Sequence, residues 1–188
     1  HEIAQWYGYH SVPGFPEEIS AFTPEDLYSN LLGARLAITL LLQGHGGSVA
    51  DFNRGMESIL PQALAQLDAQ PAAVTRQMFD SIDGRWWDKR QRVPEKFLVL
   101  RRDYSVSDDR LPSQPARETA AGLRLALPQH YRGWPLADLA SFELWRTNNP
   151  GNLPVTALPF TEADFPALTA HAAAEDKKTA PVSVQRNQ

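Results

Sequence analysis

The sequence predicts a mainly α-helical domain with a minor β element, an α+β chain with room for a zincin-like helix pair. Three observations predict it. Apolar residues recur at helical spacing through "TPEDLYSNLLGARLAITLLLQGHGG". Proline and cap-type residues stand where helices would start. Only two short stretches, 96–106 and 122–127, have the β-branched, aromatic or alternating character of strands.

The elements follow in order. Residues 1–9 read as the end of a helix, with Gly8 near its stop. "SVPGFPEEISAF" is a Pro- and Gly-punctuated loop. One continuous helix is predicted over 24–42: Thr23 is its N-cap, Pro24 its first residue, and Glu25 and Asp26 lie in the first turn, where negative charge suits the dipole. The stripe Leu27, Leu31, Ala34, Ile38 and Leu41 implies that it is largely buried. The glycines of "GHGGS" around His45 end it as a helix C-cap rather than forming a phosphate loop, because no Lys follows in the P-loop place. Ser48, with Asp51 three residues on, starts a third helix that should stop near Pro61. "PQALAQLDAQ" and "PAAVTRQMFDSID" read as two further short helices. "KFLVLRRDYSV" and "GLRLAL" are the strands, "PLADLASFELWRTN" a helix, and "TEADFPALTAHAAAEDKK" a helix despite Pro166. A single domain is expected over 1–176, followed by a mobile tail over 177–188.

Composition narrows the function classes. A 43% hydrophobic and 21% charged chain of 188 residues is globular rather than disordered. A net charge of -4 argues against a nucleic-acid partner, because phosphate binding needs concentrated Lys and Arg. No run reaches the roughly 18 apolar residues of a transmembrane helix. With no cysteine among these 188 residues, disulfides and thiolate metal sites are excluded within them. The chain opens on His inside an apparent helix, so it reads as a fragment lacking its N-terminal portion.

The opening "HEIAQ" begins the H-E-x-x-H pattern that presents two zinc ligands and a general base on one helix, but Gln5 stands where the second His belongs. On a helix His1 and Gln5 lie one turn apart with Glu2 on the adjacent flank. Glu25, in the first turn of the next helix, is at the distance of the acidic third ligand in one zincin class, and Asp26 and Asn30 line the neighbouring face. As an enzyme this would be a metal-assisted, peptidase-like hydrolase: Glu2 the base, His1 and Glu25 the metal ligands, Gln5 a weak ligand or an oxyanion donor, zinc the cofactor. A neutral amide is a poor zinc ligand, which weakens that reading. Two others stand beside it: a polar site without metal, and ordinary helix residues with Glu25 and Asp26 serving only the cap.

Together, "HEIAQWYGY", "SVPGFPEEISAFTPEDLYSNLLGARLA" and "FDSIDGRWWD" resemble the DUF4056 family of uncharacterised proteins from Gram-negative bacteria, over roughly residues 1–145. Members are usually longer at the N-terminus and often carry secretion or lipoprotein signals. The resemblance therefore implies an envelope location, in the periplasm or on the outer membrane. It also implies that Gln5 is a family trait. It brings no activity. The alternative to a hydrolase is a non-catalytic envelope module that binds a protein or glycan partner. Trp86 and Trp87 read as packing rather than a sugar platform, and the basic cluster of "KRQR" with Lys96, Arg101 and Arg102 as a solvated face. His10, His130 and His171 have no partners at ligand spacing, and Ser11, Ser29 and Ser48 lack a nucleophile elbow.

Overall fold

The structure is a computed structural model that describes residues 1–113, 123–146, 153–155 and 158–180. Among them the regular elements are chiefly helical, with two small two-stranded sheets, as the mainly α reading expects. They group into two compact units: His1–Thr23, Asp83–Asp108 and Ala126–Gln188 in the first, and Pro24–Ile82 and Asp109–Leu125 in the second.

The second unit is built on α2 (Pro24–Leu42) and α3 (Val49–Gln66), which pack together. α2 has the predicted limits and no break at Gly33. The buried face is not the predicted one. Tyr28, Leu36 and Leu40 are buried, whereas Ile38 and Leu41 are more than half exposed. The helix is apolar on nearly every side, so its pattern does not select a face. Gly44, at φ +94, ends it, with the His45 N–H returning to the Leu40 carbonyl at 2.9 Å. Gly55 lets α3 approach closely, since a Cβ there would stand 2.8 Å from Leu40 Cδ2.

Ser48 caps α3 as predicted, its hydroxyl accepting the Asp51 N–H at 3.1 Å. The expected stop at Pro61 is corrected, because α3 runs through it to Gln66. Proline removes one helical donor, but Pro61 and Glu57 are both exposed, so water can satisfy the carbonyl that loses its partner. α4 (Ala72–Ser81) is the predicted short helix. β1 (Asp109–Arg110) pairs with β2 (Leu125–Ala126), and Arg124 Nε donates to both Asp109 carboxylate oxygens at 2.7 and 3.0 Å.

In the first unit α1 (Glu2–Trp6) packs on α6 (Phe165–Thr179), and the pair encloses a core of Ala21, Phe22 and Ala172 flanked by Ile3, Trp6 and Tyr104. Pro166 occupies the first turn of α6, where a missing N–H costs nothing. Lys177 and Lys178 occupy the last turn, where positive charge suits the dipole. Residues 181–188 of the predicted tail lie outside the described residues.

Two expectations are corrected here. The stretch 96–106 is not a strand but a 3-10 turn (Lys96–Leu98) and irregular chain. It pairs only through a single antiparallel bridge of Val99 with Trp87, closed by the Asp88 N–H to Leu98 O and Leu100 N–H to Trp86 O bonds at 2.8 Å. It then turns to Phe22, whose carbonyl accepts the Asp103 N–H at 2.7 Å, so no longer ladder forms. The helix predicted from Pro135 is the single turn α5 (Leu136–Leu139), preceded by the hairpin β3 (His130–Tyr131) and β4 (Trp134–Pro135). The chain turns extended at Ala140 because Leu144 exchanges both backbone bonds with Phe160, at 2.7 and 3.0 Å.

Candidate functional site

α1 is a two-sided element. The Gln5 N–H bonds the His1 carbonyl at 3.0 Å, which places the two residues one helical turn apart. Glu2 and Gln5, three apart, share the inward face and are only 6% and 5% exposed. His1 is exposed, its ring edge-on to Tyr9. Among its bonds Glu2 accepts the Phe22 N–H on Oε2 at 2.9 Å. Gln5 Nε2 donates to Glu17 at 2.9 Å, and Glu17 also accepts the Ser11 N–H at 2.5 Å. These two donors hold the Glu17 carboxyl below its ordinary value. The Gln5 side-chain oxygen is buried without a hydrogen-bond partner.

The bond from Glu2 has a specific task. Phe22 sits in the left-handed region at φ 65, a conformation unfavourable for a bulky residue. It is held there from three sides: Glu2 on its N–H, the Asp103 N–H on its carbonyl, and the Tyr104 ring 4.9 Å from its own. Arg102, whose side chain is 3% exposed, fixes the same turn by donating to the carbonyls of Glu18, Ile19 and Ala21 as well as Lys96. Burial pushes the Arg102 pKa down, against the opposing pull of Tyr104 and Asp176.

Asp176 of α6 is the counter-charge at the centre of this cluster. It accepts from Tyr104 at 2.6 Å, from Lys96 at 2.7 Å and from Trp6 Nε1 at 3.1 Å, with Arg102 Nε 3.7 Å away. Burial first, and then the Asp176 carboxylate, raise the Tyr104 phenol well above its ordinary pKa, so it stays a donor. The sequence reading sets Arg102 on a solvated face, which the structure corrects because its side chain is 3% exposed and bonds four backbone carbonyls. Tyr104 and Asp176 are absent from the sequence expectations. They are single residues far apart in the chain and belong to no motif.

Of the predicted set, the structure brings Glu2 and Gln5 together and leaves His1 facing outward. Glu25 is exposed and Asp26 half-buried in the first turn of α2, and Asn30 is exposed further along it, all within the second unit. Among the described residues no group of three or more His, Cys, Asp or Glu is placed to hold a metal ion. The Gln5 side-chain oxygen is a buried acceptor without a hydrogen-bond partner.

The other side of α1 lines a cleft of about 310 Å³ in the first unit. Its inner end is apolar, with Leu168 and Phe160 almost fully buried beside Ile3 and Leu153. At the exposed end stand Tyr9, His10, Trp145 and Arg146. Tyr7 lies between, its hydroxyl 2.9 Å from His171 Nδ1 and 3.2 Å from the Leu168 carbonyl. The Tyr7 and His171 rings stack at 6°. Burial, helped by Glu175, pushes the Tyr7 phenol up to about 12. His171 therefore has a partner in space that spacing along the chain does not reveal. Trp86 packs under Arg101, 4.3 Å from its ring centre.

No curated protein and no solved structure matches the chain. One family description does, "Protein of unknown function (DUF4056)", over residues 1–116. That span is shorter than the 1–145 the resemblance implied, yet it covers well over half of the chain, including α1, the Phe22 turn and Arg102. The chain belongs to the DUF4056 family.

Proposed function

We propose that the protein is a non-catalytic binding module of the bacterial envelope in which the His-Glu-x-x-Gln helix is a structural clasp. The observation that carries this reading is the bond from Glu2 to the Phe22 N–H. A general base must face a water or substrate, whereas this carboxylate is buried and braces a left-handed turn. Gln5 is likewise engaged by Glu17. The envelope assignment is supported by the secretion and lipoprotein signals of the resembling family. Cell fractionation of the full-length protein tests it, and a cytosolic location would refute it.

A second reading is favoured by one atom. A metal-dependent hydrolase with His1, Gln5 and Glu25 as ligands and Glu2 as base would explain why the buried Gln5 oxygen has no hydrogen-bond partner. Metal analysis of the full-length protein, purified without a histidine tag, separates the two. The binding-module reading expects substoichiometric zinc, and one zinc per chain would overturn it. Gln5→His extends the test: a zinc site that appears with this substitution and depends on His1 and Glu25 would identify the helix pair as zincin-like in geometry.

A further inference from the structure

The geometry points to a ligand for the cleft beside α1: we infer that it binds an anionic amphiphile, a carboxylate or similar head on a chain of about eight to ten carbons. The inference rests on the reading of the protein as a binding module and names a ligand class for it. The cleft's volume, about 310 Å³, lies at the small end of small-molecule sites. At roughly 30 Å³ per water-sized group it accommodates about ten such groups, the bulk of a medium-length alkyl chain.

The polarity is graded along the cleft. Ile3, Leu153, Phe160 and Leu168 at the buried end offer no side-chain hydrogen-bonding group, so they suit a hydrocarbon tail. The exposed end carries Arg146 and His10, and no Asp or Glu is among the described residues that line the cleft, the nearby Glu143 carboxylate being engaged by the Trp145 N–H at 3.2 Å. This is a local reversal in a chain with 22 acidic and 18 basic residues. Guanidinium has five N–H donors, so Arg146 can bind an anionic head while keeping other bonds. Among the described residues that line it, the cleft has none of the Asp, Glu, Asn and Gln side chains that pair with sugar hydroxyls, which favours an amphiphile over a glycan.

The walls are preformed. The paired backbone bonds between Leu144 and Phe160 fix one side, and the Tyr7 hydroxyl, tied to Leu168 and His171, fixes the other. Little ordering is then needed on binding, which favours affinity.

The test is calorimetric titration of the full chain with sodium decanoate below its micelle concentration, beside decanol, maltose and phosphatidylglycerol vesicles. Saturable decanoate binding is expected. Arg146→Gln, at an exposed position, should weaken decanoate about tenfold, the loss of one charge-assisted bond, and leave decanol unchanged. Ala4→Phe, which fills the cleft from α1, should abolish both, with circular dichroism verifying the fold. Vesicle binding that decanoate displaces would identify a bilayer lipid as the source, and decanoate binding without vesicle binding a soluble acid. No saturable decanoate binding, binding of maltose instead, or wild-type affinity in both variants would overturn the inference. Its failure is separate from that of the binding-module reading. Zinc-bearing protein that still takes decanoate sinks only the latter, and zinc-free protein that ignores decanoate sinks only the former.

Discussion

Replacing Asp176 by Ala should be the most damaging single change in the first unit. Asp176 is 5% exposed and receives Tyr104, Lys96 and Trp6 at 2.6 to 3.1 Å, with Arg102 at 3.7 Å. The substitution leaves the Arg102 side chain, 3% exposed, and the Lys96 side chain, 22% exposed, without their counter-charge. Removing one partner of a buried pair costs about 3–5 kcal/mol. The partial exposure of Lys96 argues for the lower half of that range from charge alone. The orphaned Tyr104 hydroxyl and Trp6 N–H restore the balance, at about 1 kcal/mol or more each where no water reaches them. Against a total of roughly 5–15 kcal/mol for a domain, a loss of about 4 kcal/mol is a large part of the stability. Urea unfolding followed by tryptophan fluorescence, compared at equal m-value, measures it. A loss below about 1 kcal/mol would refute the reasoning, because it would mean that Arg102 and Lys96 find other compensation.

Two further outcomes follow from the same cluster and its neighbourhood. Glu2→Ala should cost about 2 kcal/mol, the worth of a hydrogen bond to a charged group, and Glu2→Gln less because an acceptor remains for Phe22. Equal stability of all three proteins in urea would remove Glu2 from its structural role. At Asp88, the hydrogen bonds and charge of Arg90 lower the carboxyl from 3.8 to about 2. A depressed folded-state pKa means stability that is present above 3.8 and lost as the pH falls through about 2. Asp88→Asn should therefore flatten the acid limb of the stability curve in that window, and an unchanged limb would count against the assignment.

Legibility in the sequence tracked how local the determining physics was. α2 was readable to the residue because Pro24 and its acidic first turn act within the helix itself. The Ser48 cap was readable for the same reason. Which face α2 buries was not, since that depends on what packs against it. The stretch 96–106 misled because β propensity describes a half-buried surface, while its backbone partners are scattered irregular segments. At α1 the motif draws attention to the helix but says nothing of the structural bond that Glu2 makes to the Phe22 N–H. The residue it braces, Phe22, is 20 positions away, and nothing in the letters announces a left-handed Phe. Asp176 could have been suspected only as an acid interrupting the alanine-rich "AHAAAED" of a helix.

The bond from Trp6 to Asp176 spans 170 residues. On a ribosome adding about 5–20 residues per second, α1 emerges roughly ten to thirty seconds before its partner on α6 exists. Lys96 and Arg102, once made, also wait for the carboxylate that neutralises them. The first unit thus cannot close progressively as it is made. It must await the last described helix, which leaves the aromatic face of α1 open to chaperones until α6 is made.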